Sequence, residues 1–412
     1  SSASRNWYGI TLDEPAWTFE RPEGPYFAAT LNEYGQVIQI DFPGGLESVF
    51  ISYDGRGRLS ETEAGNLILA YTYDSWGRVE KMTDAANQSK VFNYDDANRV
   101  TGLKYPSGLS YTFDYDANGN PTKITMPKGA LYQHLLSYNS LDLRASYTPP
   151  GGNPPYTWTY NSYRDLERTQ LPGGREIILT YDGGGRLFTV SYAEATIQRN
   201  YHGKTTLISD ISRISTGSGI SQTIAYQHDG TLLTRTEGYG VAQSAFEYSY
   251  DPHFFLSNMK FFTGPDEVSM MLNYDKNGDI TQYHDFTISR TMPLGRQGMI
   301  EDGNLISEYS YDSLGRKIGK TININGNTIC EIVWTYDTAG RIDTKTEFSP
   351  GNFQDNYTYL YDSDGQLLQV ERYGTVVELY EYDGNGNRIL SGSNASTYDA
   401  QDRLETYGVV NY

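Results

Sequence analysis

The sequence predicts an all-β chain of tandem β-hairpins joined into one long spiralling sheet, and three observations carry that reading. A Tyr-Asp dipeptide returns along the 412 residues at intervals that mostly lie between 20 and 25 residues. Before each copy, rings recur at every second position, as in "YTFDYD" at 111 and "YTYLYD" at 357, the period of a pleated strand with its aromatics on one face. After each copy comes Asp-x-x-Gly, in which Gly accepts positive φ and the Asp side chain can bond nearby backbone N–H groups, the chemistry of a tight hairpin turn.

The Tyr-Asp anchors are Tyr53, Tyr73, Tyr94, Tyr115, Tyr181, Tyr250, Tyr274, Tyr311, Tyr336, Tyr361, Tyr382 and Tyr398, with Tyr-Asn variants at Tyr138 and Tyr160. Tyr201 and Tyr226 read as eroded copies, and "LNEYGQVIQI" at 31 as a still earlier one. A second punctuation falls midway between many anchors: "FPGG" at 42, "YPSG" at 105, "MPKG" at 126, "LPGG" at 171 and "SPGN" at 349. These Pro-x-Gly turns close the other end of each hairpin. One repeat is then two strands and two turns, and 16 anchors imply about 32 strands with a sheet on the order of 150 Å across. A plain closed barrel of that size would leave a wide lumen, so the sheet must spiral or enclose a space. A propeller would need odd and even units to differ systematically, which they do not visibly do.

Three stretches depart from the grammar: "TPPGGNPPYTW" from 148, "STGSGISQ" from 215, and the 37 residues from Tyr274 to Tyr311, which hide either a degenerate repeat or an insertion. The first two read as longer rim loops. Residues 1–26 are expected to be irregular, 27–405 to form the repeat body, and 406–412 to begin a further repeat in a truncated chain. The start, "SSASRNWYGI", lacks the basic and apolar regions of a signal peptide and reads as an internal boundary of a longer protein.

The candidate functional residues are structural anchors: Tyr53, Asp54 and Arg58; Tyr73, Asp74 and Arg78; Tyr94, Asp95 and Arg99; Tyr181, Asp182 and Arg186; Tyr311, Asp312 and Arg316; Tyr336, Asp337 and Arg341. Asp399 and Arg403 continue the series. Each Arg could pair with the Asp four residues before it or lie on a Tyr face. Like positions in neighbouring hairpins sit about 9.6 Å apart, too far for ring-on-ring stacking, so the aliphatic residue after Gly-Arg is expected to fill that gap.

Composition narrows the function. With 38% hydrophobic residues the chain is too apolar for disorder and should bury a substantial core. A net charge of −19 with no basic stripe argues against nucleic acid and against an anionic membrane surface, and the longest apolar runs are strand-sized, so no membrane insertion is expected. Cys330 is the single cysteine and the five histidines never fall at ligand spacing, so neither a metal nor another cofactor is expected. "DANGN" at 116, "DKNGD" at 275 and "DGNGN" at 383 imitate half of a calcium loop but lack Glu at the twelfth position. Nothing singles out two carboxylates for catalysis, and the chain is not expected to be an enzyme.

The phrases "YDSWGRV", "YDGGGRL", "YDSLGRK" and "YDTAGRI" resemble the signature of the YD-repeat, or Rhs-repeat, family, over roughly residues 27 to 405. That resemblance implies a hollow β-shell, as in Rhs polymorphic toxins, the C components of insecticidal toxin complexes and the teneurin barrel. For the toxin members it further implies a shell that encloses a downstream toxic domain. The expected partners are therefore the chain's own downstream toxin domain or a partner shell protein, and the expected setting is secreted or at a bacterial cell surface. The family's Asp-Pro-rich cleavage segment has no counterpart here, since Asp251-Pro252 lies inside a repeat. A regular row of Tyr and Trp leaves a second reading open, a teneurin-like adhesion or carbohydrate-binding surface engaging cell-surface glycans.

Overall fold

A computed structural model describes residues 10–13, 16–19, 27–217, 221–291, 296–351 and 353–412. The described residues hold 39 strands in one antiparallel meander, each pairing with its neighbours in sequence. No helix occurs among the described residues. The alternation read from the sequence sets the faces: along Ser110–Tyr115 exposed and half-buried residues alternate strictly, and along Val49–Tyr53 likewise.

Both kinds of turn form where the punctuation falls. In "YPSG", Tyr105 N–H donates to Leu109 O at 2.8 Å and Gly108 N–H to Tyr105 O at 2.9 Å; "LPGG" repeats this with Leu171, Arg175 and Gly174. At the anchor end, Asp74 N–H donates to Arg78 O and Gly77, at φ 89°, donates back to Asp74 O. A side chain at that φ would be strained, which is why Gly recurs there. The register slips by one residue just after this turn: Thr72 faces Lys81 but Tyr73 faces Val79. The same bulge recurs at Tyr53, Tyr94, Tyr181, Tyr311 and Tyr336, and bulges of this kind bend a sheet and increase its twist.

The bend brings the strip back onto itself. Ser107, in the turn after the tenth strand, donates its N–H to Asp364 Oδ1 at 2.8 Å and its hydroxyl to Oδ2 at 2.6 Å, and Asp364 lies after the thirty-third strand. Glu47, after the fourth strand, donates N–H to Ser313 O at 2.8 Å, after the twenty-ninth. Lys128 N–H reaches Asn385 Oδ1 and its ammonium Asp383 Oδ2, each at 3.0 Å. One lap therefore takes 23 to 25 strands, a circumference on the order of 115 Å and a diameter of roughly 37 Å at standard strand spacing. Anchor turns of the second lap sit on Pro-x-Gly turns of the first.

The expected substantial core is absent among the described residues. Among the described residues the buried apolar side chains are Ala29, Ala195, Ala245 and Val370, and Pro149 and Pro150 are buried too. The accessible surface is 24938 Å², against about 16,000 Å² for a compact monomer of 46.4 kDa. The apolar residues are spread as stripes along one curved layer that is wet on both sides.

Two sequence expectations change, and one alternative left open is decided. Ile10–Asp13 and Ala16–Phe19 are strands paired with each other and with Phe27–Leu31, so the sheet begins inside the segment expected to be irregular. The long gap is a degenerate repeat: Phe286–Thr291 pairs with Arg296–Glu301, which pairs with Leu305–Tyr311; residues 292–295 lie outside the described residues. The eroded anchor assigned to Tyr226 belongs to His228, because the strand runs on to Asp229 and His228 is the residue that faces Leu233 across the bulge. Residues 404–407 and 410–411 close one more hairpin.

The lap contact makes a local prediction. Asp364→Ala removes two hydrogen bonds to Ser107, one at least charge-assisted, and should cost on the order of 1 to 3 kcal/mol at that junction. Amide exchange measured by mass spectrometry should quicken for residues 105–110 and stay unchanged around the Asp182 turn.

Candidate functional site

The residues singled out in the sequence make one repeated junction. At the turn, Asp Oδ1 accepts backbone N–H groups two and four residues on: Arg56 and Arg58 for Asp54, Trp76 and Arg78 for Asp74, Ala97 and Arg99 for Asp95. Asp Oδ2 accepts from the Arg Nε at 2.7 Å in Asp54–Arg58, Asp74–Arg78, Asp95–Arg99, Asp182–Arg186, Asp312–Arg316 and Asp337–Arg341; Asp399–Arg403 follows suit.

The guanidinium held in this way lies on the anchor ring of the next repeat. Arg58 stands 4.1 Å from the Tyr73 ring centre, Arg78 4.6 Å from Tyr94, Arg99 4.7 Å from Tyr115, Arg186 4.4 Å from Tyr201, Arg316 4.4 Å from Tyr336 and Arg341 4.5 Å from Tyr361. The two alternatives left open by the sequence thus hold together, with the pair inside one turn and the stack between repeats. The gap between successive anchor rings is occupied by a guanidinium. The aliphatic residue expected there faces the anchor across its own hairpin, as Val79 faces Tyr73. Arg78 and Arg99 also donate across the junction, to Asp95 O and Asp116 O at 2.8 Å.

The anchor hydroxyl makes a link that sequence reasoning missed. Tyr73 donates to Leu59 O at 2.6 Å, Tyr94 to Val79 O at 2.8 Å, Tyr181 to Leu166 O at 2.8 Å and Tyr336 to Lys317 O at 2.6 Å; Tyr53 and Tyr311 do the same to Val37 O and Gln297 O. The acceptor is the carbonyl of the first residue after the turn of the preceding repeat, at the bulge; it follows Gly-Arg at Leu59, Val79, Gln297 and Lys317, and other pairs at Val37 and Leu166. The one available signal was the choice of Tyr over Phe at the anchors. Burial pushes the hydroxyls of Tyr94, Tyr181, Tyr311, Tyr336 and Tyr361 above the usual phenol range, so they remain proton donors.

Repeats without Arg keep the junction with amides. Asn120 donates to its own Asp116 and to Asp142 of the next turn, and Asn387 to Asp383 and Asp402. The calcium-like loops are therefore turns whose carboxylates already accept internal donors. Among the described residues, no three His, Cys, Asp or Glu side chains gather as a metal site. His202 and His228, far apart in sequence, meet edge to face with ring centres 5.4 Å apart.

The family model described as Teneurin YD-shell matches residues 26–412. This chain belongs to the teneurin YD-shell family. Mouse teneurin-3 is 27% identical over 284 residues, 65% of this chain and 10% of the relative, and fruit-fly teneurin-m is 24% identical over 280 residues with the same coverage. The YD-shell chain thus spans about a tenth of the length of these relatives. Among solved structures, one described as TcdB2-TccC3-Cdc42 superposes with a TM-score of 0.70 at 12% identity, covering 95% of this chain and 27% of the other; that likeness is one of fold.

The YD-shell junction yields two predictions. Tyr115 donates to Val100 O at 2.8 Å beneath Arg99, so Tyr115→Phe should cost about 1 kcal/mol and Tyr115→Ala on the order of 2 to 3 kcal/mol, read by urea unfolding. The rim carboxylates set the pH response. The Arg58 side chain, with backbone N–H groups, lowers Asp54 to about 2. Arg99 N–H and guanidinium lower Asp95, and the Arg186 guanidinium lowers Asp182; Arg78 donors lower Asp74 against the opposing effect of desolvation. Carboxylates depressed in the folded state contribute stability above their unfolded value near 4 and lose it as pH falls toward 2. The melting temperature should therefore drop across that window, with a shallower slope in Asp54→Asn/Asp95→Asn.

Proposed function

We propose that this strip is an encapsulating wall, part of a secreted or surface-delivered toxin-like protein, that encloses a polypeptide cargo encoded downstream of Tyr412. The observation that carries the reading is the single curved layer with 24938 Å² of accessible surface, whose laps are fastened turn to turn while neither face is filled by a core. A folded enzyme domain buries its interior; a wall leaves it open, and a chain shut inside has no access to proteases or substrates. No residue is assigned a catalytic role. Tyr packs and ties adjacent repeats, Asp and Gly turn the chain, and Arg couples one repeat to the next.

Teneurin-like adhesion is the second reading, favoured by the family match over residues 26–412 and by aromatic rings standing free at the turn tips, Trp76 and Tyr163 among them. Protease protection on the complete gene product separates the two. Enclosure predicts that the segment after Tyr412 survives digestion in the intact protein and is degraded once repeats are deleted. Equal digestion in both would leave adhesion as the function, and a glycan array would then be the direct assay.

A further inference from the structure

The residue two before each anchor lies on the ring-bearing face, one step in from the rim, and this row is otherwise uncharged: Phe92, Phe113, Leu136, Trp158, Leu179 and Leu272 belong to it. Arg199, two before Tyr201, is the one charged residue in the row. Its strand, Ala195–Tyr201, turns Asn200 to the other face, where it donates to Asp210. Arg199 itself faces Ile211, which in turn faces Ile224 on the next strand. Its surroundings across the sheet are therefore apolar.

Nothing among the described residues neutralises this guanidinium. Arg199 joins no ion pair and lies on no ring there, and its Nη1 is buried without a hydrogen-bond partner. Arg58 and Arg316 also bury an unpartnered Nη1, but their charge is held against Asp54 and Asp312. A guanidinium cannot shed its proton, and a charge drawn out of water without a partner is costly. Leucine, as at 136, 179 and 272, would serve packing alone. The position is in the interior of a strand and not on either row of turns, so its want of a partner does not depend on which turns carry a lap above them.

We propose that the ring-bearing face lines the enclosed space and that Arg199 on it receives a carboxylate side chain of the polypeptide encoded downstream of Tyr412. In a curved layer side chains crowd on the concave side, and the ring-bearing residues are the less exposed ones along Val49–Tyr53, Ser110–Tyr115 and Glu176–Tyr181. The partner is an Asp or Glu with apolar residues beside it: the planar fork of Arg199 takes both carboxylate oxygens, while Ile211 and Ile224 offer apolar contact on either side of the pair. The contact rests on the enclosure reading, which brings a cargo chain to this face, and adds to it a named point of attachment.

Zero-length carbodiimide coupling of the Arg199→Lys variant of the complete gene product tests it, because the new amine joins whichever carboxylate it touches. The Lys345–Glu347 pair, 2.9 Å apart with Lys345 over the Tyr357 ring of the same face, reports that the reagent has entered. Peptide mapping should find position 199 joined to an Asp or Glu beyond residue 412. Coupling only to carboxylates within residues 1–412, or none while the Lys345–Glu347 pair couples, overturns the proposal. Protease digestion of the same preparation keeps the two readings apart: a protected segment without coupling leaves the wall and removes the contact, whereas coupling to an unprotected segment keeps the contact and removes the enclosure. Arg199→Leu guards against a role in the wall alone. The 412-residue chain carrying it should melt no lower than wild type, and the complete product should melt lower by about 2 °C or more. An equal fall in both chains also overturns the proposal.

Discussion

The rest of the structure depends on the coupling of one hairpin to the next through Asp, Arg and Tyr. The Asp side chain does two jobs at once, with one oxygen closing the turn and the other holding the guanidinium. The Arg is thereby placed, at little further entropy cost, over a ring that belongs to the following repeat. That ring is in turn tethered by its hydroxyl to the bulged carbonyl behind it. Each link is worth about 1 kcal/mol or less in isolation. Repetition, rather than the strength of any one link, holds a layer whose described residues form no packed interior.

The bulge gives this coupling its architectural effect. A slip of one residue recurs at the anchors and bends the strip there, and the bends add up to a spiral that meets itself after 23 to 25 strands. The tyrosine hydroxyl caps the carbonyl displaced by the bulge, so the residue that ties repeats together also satisfies the group that curvature disturbs.

The hairpins were legible because their signals are local: Asp-x-x-Gly specifies a turn, and "YTFDYD" specifies which face the rings take. The lap junction was not legible, since Ser107 and Asp364 are ordinary polar residues whose meaning comes only from a contact 257 residues away. The eroded anchor was assigned to Tyr226 instead of His228 because the eye aligns tyrosines while the backbone aligns bulges. The expected core failed for a different reason. A 38% hydrophobic content measures how much apolar surface exists, and only the topology decides whether it converges on an interior or is drawn out in a stripe. The Arg stack was half legible, in that the partner type was foreseen but the sequence could not say that the ring lies one repeat further on.

The two turn rows have the same pitch, and this constrains how such a chain can change length. Adding or deleting a whole hairpin moves one lap past the other by a single tooth and leaves every tooth facing a gap, much as a belt advances on its sprocket. Losing a single strand would instead send every later anchor turn to the wrong edge, so that Pro-x-Gly turns met Pro-x-Gly turns along the junction and the carboxylates pointed away from it. A wall of this kind can therefore be resized in steps of one hairpin and in no finer unit, and the residue at the turn tip is then free to vary until it suits its new neighbour.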